Sequence, residues 1–212
     1  MTDPNYTALL LIVDRSGSMS SIRDDMVGGL QKLVDDQAAS PGKLTVDIVT
    51  FDDRIEHTHK FENATEVTVT LEPRGMTALW DAIGVSVSKF GAALGDMTEQ
   101  ERPATVQIVI VTDGMENASH EYTGNAINQM ISHQRDTYSW DFVFLGANQD
   151  AVATARELGI DGDAAMTYSA DAESVDAMHV ATSRYIHSVR VGDREGFTAG
   201  ERAASMHSDA QA

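Results

Sequence analysis

The amino-acid sequence predicts an α/β fold: a doubly wound, mostly parallel, Rossmann-like sheet with helices on both faces and one antiparallel edge strand. Three observations predict it. Short apolar runs, uninterrupted at residues 9–13 and broken only by Gln107 at 106–111, alternate with segments of helical periodicity. Both runs stop at an Asp in a Gly-containing turn, Asp14 and Asp113, as loops at the carboxyl edge of a parallel sheet do. The chain has 212 residues and no Cys, long enough to bury a core without disulfide staples.

Each element follows in order. Leu-Leu-Leu-Ile-Val at 9–13 reads as a strand buried on both faces. Ser20 or Ser21 can cap a helix running to about Ala39, with Ile22, Met26, Leu30, Leu33 and Val34 on its buried stripe. Gly28-Gly29 within it costs helix stability, which implies a close approach to neighbouring backbone. After the Pro41-Gly42 break, residues 44–51 form a second strand. The Asp52-Asp53 turn returns the chain along 55–61 as the antiparallel edge, where His57, His59 and Lys60 suit exposure. The two His could chelate from one side of a strand, but an exposed edge is their more ordinary explanation.

An irregular stretch around Glu72-Pro73-Arg74-Gly75 leads into a helix over 78–94, with Leu79, Ile83, Val87 and Phe90 buried. The strand at 106–111, a helix at 123–133, a strand at 142–145, a helix at 150–158, a short strand at 165–168 and a helix at 172–189 complete the pattern. Asn148 and Asp150 suit capping of the helix that follows them. Trp80 and Trp140 lie beside element boundaries and belong to the core or its shell. Residues 1–191 form one domain, and 192–212, rich in Gly, Ala and Ser, read as a mobile or loosely docked polar tail.

Composition excludes several functions. A net charge of −18 opposes binding to nucleic acid or to an anionic membrane, because phosphate contacts need clustered positive charge. The absence of Cys removes zinc fingers and thiol nucleophiles. No apolar run is long enough to span a bilayer, and the start lacks the basic segment of a secretory signal, so a cytoplasmic protein is expected.

The chemistry concentrates in Asp14-Arg15-Ser16-Gly17-Ser18 and at Asp113. Two carboxylates leaving neighbouring strands repel each other unless a cation or proton lies between them. With the hydroxyls of Ser16 and Ser18 they form a hard-oxygen set that favours Mg²⁺, Mn²⁺ or Ca²⁺. Taken singly, the two Ser are turn formers, Thr77 a helix cap and Asp113 a turn residue before Gly114; only their coincidence points to a metal. Asp14-x-Ser16-x-Ser18, Gly75-x-Thr77 before a helix, and Thr112-Asp113-Gly114 resemble the metal-ion-dependent adhesion site of von Willebrand factor type A domains, in matching order and spacing over roughly 6–190. Asp113–Asn117 and Phe144–Asn148 also resemble stand-alone bacterial and phage-type members.

The resemblance implies that Ser16, Ser18 and Thr77 bind the cation through hydroxyls, and Asp14 and Asp113 directly or through water. It leaves one coordination position for an Asp or Glu of a protein partner. Glu116 and Asn117 lie on the same edge as supporting or rim groups.

An enzyme is the weaker reading. A haloacid-dehalogenase-type phosphohydrolase needs Asp where Ser16 stands and a late Lys, whereas no Lys follows Lys89. Phosphate-loop, dinucleotide and Gly-x-Ser-x-Gly motifs are absent. A metal-dependent protein-binding module is therefore favoured, with a purely structural cation or a Mg²⁺-dependent phosphohydrolase as its alternatives.

Overall fold

The computed structural model describes residues 2–147 and 149–206. Its strands are β1 (Asp3–Asp14), β2 (Lys43–Phe51), β3 (Ile55–Asn63), β4 (Pro103–Thr112), β5 (Asp141–Ala147) and β6 (Ala165–Tyr168). They form a sheet in the order β3-β2-β1-β4-β5-β6, parallel throughout except for the antiparallel edge strand β3. The helices are α1 (Arg23–Ala38), α2 (Leu79–Asp96), α3 (Gly124–Tyr138), α4 (Ala151–Glu157), α5 (Ala172–Arg190) and α6 (Ala199–Ala204). One face of the sheet carries α1 and α5, packed on each other, and the other carries α2, α3 and α4. Among the described residues no helix is long and apolar enough to cross a membrane.

Cover on both faces explains the sequence of β1, where every residue from Tyr6 to Asp14 is buried. The expected alternation of strands and helices holds, and several boundaries move. β1 begins at Asp3, earlier than its apolar run, because Asp3 pairs with Pro103 of β4 and Tyr6 with Lys43 of β2. Residues 17–21 form a 3-10 turn, so α1 starts at Arg23 behind Ile22 with no side-chain cap. Ser20 and Ser21 donate instead to carbonyls of that turn. Asp150 caps α4 as expected, accepting from Ala153 N at 3.0 Å; Asn148 lies outside the described residues. Trp140 is buried, edge-on to Phe90 at 5.9 Å and stacked on Phe142, while half-buried Trp80 packs against the core. On β3, His57 Nε2 sits 2.8 Å from Asp47 Oδ1.

The segment after α5 is docked over 192–206 rather than loose. Phe197 is buried and stacks on Tyr185 at 5.2 Å, and Arg194 reaches the buried Asp141 carboxylate at 2.5 Å. Thr198 and Glu201 close a reciprocal capping box on α6. Arg202 donates to Gly162 O, and Ser205 Oγ to Thr167 O at 2.8 Å. Residues 207–212 of the expected tail lie outside the described residues.

The Gly28-Gly29 pair resolves into two different positions. A Cβ on Gly29 would meet the His179 ring of α5 at 1.8 Å, whereas one on Gly28 would meet nothing within 4 Å. The close approach is therefore a buried imidazole seated on one glycine, not backbone on backbone. Burial, reinforced by Lys32, pushes the His179 pKa from 6.5 down to about 3, and neither ring nitrogen has a hydrogen-bond partner.

Two outcomes follow for stability. Gly29→Ala should destabilise by about 1–3 kcal/mol through overpacking, while Gly28→Ala should stabilise by up to about 1 kcal/mol through helix propensity; urea denaturation of both separates them. Because the folded-state pKa of His179 is depressed, its unfolded form binds the extra proton. Stability is complete above pH 6.5 and is lost as pH falls towards 3. Between pH 6.5 and 5, His179→Leu should lose about 2 kcal/mol less than the parent protein in the same titration.

Candidate metal centre

The strand order reverses its direction of growth between β1 and β4, so the loops leaving these two strands diverge and open a crevice at the carboxyl edge. Asp14 ends β1 and Asp113 follows β4, and Val13 pairs with Val111 directly below them. The third contributor, Thr77, stands just before α2 and is held by the loop after β4: Asn117 Oδ1 accepts from Thr77 N, and Asn117 N donates to Thr77 O, both at 3.0 Å.

The predicted residues come together. Ser18 Oγ donates to Asp113 Oδ1 at 2.8 Å, Ser16 Oγ lies 3.5 Å from the same oxygen, and the two hydroxyls are 3.1 Å apart. Asp14 is fully buried; its Oδ1 accepts from Ser16 N and its Oδ2 from Thr112 Oγ1, each at 2.6 Å. The Thr77 hydroxyl abuts Gly114, where an added Cβ would lie 3.0 Å from it. Among the described residues that hydroxyl makes no hydrogen bond.

Burial raises the Asp14 pKa from 3.8 to about 6 despite Thr112 and Ser16, and the Asp113 charge adds to the rise. Asp113 is also raised by burial, against the hydroxyls of Ser18 and Ser16. Two withdrawn carboxylates whose hydrogen-bond partners among the described residues are neutral, with the Ser16 and Ser18 hydroxyls on Asp113 and that of Thr77 against Gly114, match the hard-oxygen chemistry of a divalent cation. Among the described residues, no three His, Asp or Glu side chains gather as a metal group. The oxygen set here contains only two carboxylates, so its capacity rests on the hydroxyls.

No family model matches the sequence, and no curated protein does. Solved structures resemble it in shape. The von Willebrand factor domain of the type V pilus tip protein Mfa5 from Porphyromonas gingivalis superposes with a TM-score of 0.66 at 10% identity, over 92% of this chain and 98% of that one. Proximal thread matrix protein 1 from the mussel byssus, with a zinc-occupied adhesion-site motif, gives 0.62 at 16% identity over 86% of this chain. The ArnB paralog VWA2 from Sulfolobus acidocaldarius gives 0.53 at 19% identity over 82%. The fold is that of a von Willebrand factor type A domain. The chain spans about half the length of the mussel protein, 46%, and 44% of the Sulfolobus protein.

Within this von Willebrand A fold, three groups hold the loops: an ion cluster and Asp81, for which no sequence motif indicated a role at the site, and Glu116, expected on the site edge as a supporting or rim group. Arg15 turns away from Asp14: its Nη1 donates to Glu56 Oε2 at 2.6 Å and its Nε pairs with Asp52 Oδ2 at 3.2 Å. Arg74 completes the cluster, reaching Asp52 at 2.8 Å and Glu56 at 2.7 Å. Burial alone would raise the pKa of Asp52, but Arg74, the Arg54 N–H and Arg15 together hold it below the usual value. Backbone bonds follow the same path, from Arg74 N to Arg15 O, Gly17 N to Gly75 O and Ala78 N to Asp52 O. Gly75 is required here, with φ +70° and no room for a Cβ, which would fall 2.4 Å from Asp53 Oδ1.

Glu116 forms the second group. It accepts from Trp80 N at 2.9 Å, serving the start of α2, where Ala78 provides no cap of its own, and from Ala118 N and Ser119 N of its own loop. Asp81 is the third, accepting three N–H groups from His120, Glu121 and Tyr122. Glu116 and Asn117 are thus supports, not members of the converging oxygen set. Below the site, Tyr168 Oη donates to Thr112 O at 3.3 Å. Asp52→Asn, which leaves buried Arg15 paired with Glu56 alone and Arg74 without its buried partner, should cost about 1–3 kcal/mol and lower the melting temperature by a few degrees, measured by calorimetry.

Proposed function

We propose that this domain is a divalent-cation-dependent protein-binding module. Asp14, Ser16, Ser18, Thr77 and Asp113 would hold Mg²⁺, or Mn²⁺ or Ca²⁺, at the carboxyl edge of the sheet. When bound, the cation supplies a Lewis-acidic point for an Asp or Glu side chain of a partner protein. The observation that carries this reading is the convergence of the Ser16 and Ser18 hydroxyls on Asp113 beside buried Asp14, with no cationic side chain paired to either carboxylate among the described residues. The mussel protein with zinc in its adhesion-site motif supports it by likeness of fold. The pilus-tip neighbour agrees with a role in binding.

Binding is favoured over catalysis because neither carboxylate has a general acid or base beside it. Asp14 accepts from Ser16 N and Thr112 Oγ1, Asp113 Oδ1 from Ser18, and among the described residues no Lys, Arg or His is hydrogen-bonded to either. A purely structural cation is disfavoured because Asn117, Glu116 and the Arg15–Asp52 cluster already tie the three loops together.

Addition of Mg²⁺ or Mn²⁺ should raise the melting temperature, with a gain of about 2.7 kcal/mol at a hundredfold excess over Kd. Asp14→Ala and Asp113→Ala should abolish the shift, and EDTA should reverse it and release a captured acidic partner. Partner capture that persists in EDTA while the thermal shift disappears would establish the structural cation instead.

A further inference from the structure

We propose that the cavity beside the Asp113 loop is a second contact point of the same surface, taking a basic side chain, Arg or Lys, that the partner carries near its acidic residue. The inference rests on the protein-binding reading above and specifies the partner's chemistry. The cavity encloses about 600 Å³ between the start of α2, α3 and α4, and Trp80, Met115, Glu116, Asn128, Gln149 and Glu157 line it. It is continuous with the candidate centre, since Gln149 Nε2 donates to Gly114 O at 3.2 Å, one residue beyond Asp113.

The lining selects charge by sign. It holds the carboxylate of Glu157 and that of Glu116, the latter already bonded to N–H groups of Trp80, Ala118 and Ser119, and no Lys, Arg or His among the described residues. Gln149 Nε2 and Asn128 Nδ2 each use one N–H, on Gly114 O and Glu157 O, and Gln149 Oε1 accepts from Thr154 Oγ1 at 3.3 Å. The amides thus keep capacity of both kinds, and the preference for a cation comes from the carboxylates. Trp80 adds an aromatic ring, the side-chain type most attractive to a guanidinium or ammonium. Glu157 is exposed, so its charge is free to meet an incoming cation.

The rim points to a macromolecular ligand. Met115 is 74% exposed and Met76 56%, and they stand on the two loops that carry Asp113 and Thr77. Two large apolar side chains presented beside the oxygen set suit a contact surface. A partner with an acidic residue alone would also approach a protein of net charge −18 against long-range repulsion. A neighbouring basic residue cancels that repulsion and finds a matching site in this cavity.

The test uses the ¹⁵N-labelled protein and two sets of probes. In EDTA, N-acetyl-arginine amide should shift the indole N–H signal of Trp80 and leave that of buried Trp140 in place, while the leucine and glutamate amides shift neither. Glu157→Gln should weaken the arginine response roughly fivefold. An equal or larger response to the leucine amide, or none to the arginine amide, overturns the proposal. In Mg²⁺, the peptide acetyl-Gly-Asp-Gly-Arg-Gly-amide should bind roughly tenfold tighter than its Leu counterpart. Equal Mg²⁺-dependent binding of the two peptides also overturns the cavity's role and leaves the metal reading intact. An arginine response at Trp80 with no Mg²⁺ dependence in either peptide supports the cavity's preference and overturns the metal reading.

Discussion

Parallel pairing of β1 with β4 forces the ends of these two strands to the same edge of the sheet, and each delivers an aspartate there. Carboxylates withdrawn from water at close range raise each other's energy, and a folded chain normally answers with a positive side chain or a proton. Arg15 is the candidate for that role by position, lying between Asp14 and Ser16, yet it is committed to Asp52 and Glu56 on the far side of its loop. The aspartates receive only neutral donors: a backbone N–H and the hydroxyls of Thr112, Ser16 and Ser18. The molecule thus keeps its local positive charge next to the site and out of it. That division is the electrostatic opening a divalent cation would fill.

The loops around this opening are rigidly tied to one another. The Arg15–Asp52–Arg74–Glu56 cluster binds the first loop to the turn after β2 and to the stretch before α2. Asn117 clamps Thr77 from both sides of its peptide unit, and Glu116 serves the first turn of α2. Bonds of this kind orient the oxygen set before any ligand arrives, so little ordering remains to oppose binding. An ion cluster of this type, with Arg15 and Asp52 buried and Arg74 and Glu56 half exposed, adds little net stability compared with apolar packing. Its contribution here is geometric: it fixes which way Arg15 points and keeps Gly17 against Gly75.

Much of this was legible in the sequence because the information is local. The run at 9–13 ending at Asp14, the run at 106–111 ending at Asp113, and the Ser-Gly-Ser spacing each declare a strand and the loop that follows it. Of the five oxygen-bearing residues named from those motifs, Asp14, Ser16, Ser18 and Asp113 are joined by hydrogen bonds, and the Thr77 hydroxyl lies against Gly114, next to Asp113. What escaped were partnerships across long separations. Asn117 with Thr77, Glu116 with Trp80, and Arg15 with Glu56 join segments 36 to 41 positions apart, and no periodicity encodes them. His179 escaped for the same reason. Gly28-Gly29 announced a close approach, but only the packing of α5 on α1 shows that an imidazole makes it, and at one glycine alone. The start of α1 shifted because Ser20 and Ser21 bond within a 3-10 turn instead of capping the helix, a choice between two local patterns open to the same residues.

The distribution of charge decides how such a surface could discriminate. Over distances beyond a Debye length, about 8 Å in physiological salt, an approaching protein senses mainly the net charge of −18, which favours basic partners and disfavours acidic ones. At contact the order changes, because a hard cation in the Asp14–Asp113 crevice would reward a carboxylate, with Met76 and Met115 exposed on the loops that carry Thr77 and Asp113. An acidic residue alone is penalised on approach and rewarded on arrival. A basic residue alone is drawn in and finds only the weaker attraction of the cavity near Trp80 and Glu157. On the proposed reading, a segment presenting both charges in the right order along its chain would be selected over a uniformly acidic or uniformly basic one. Selectivity of this form comes from placing opposite demands a few residues apart on one rigid edge, and the ties among the three loops are what keep those demands at a constant separation.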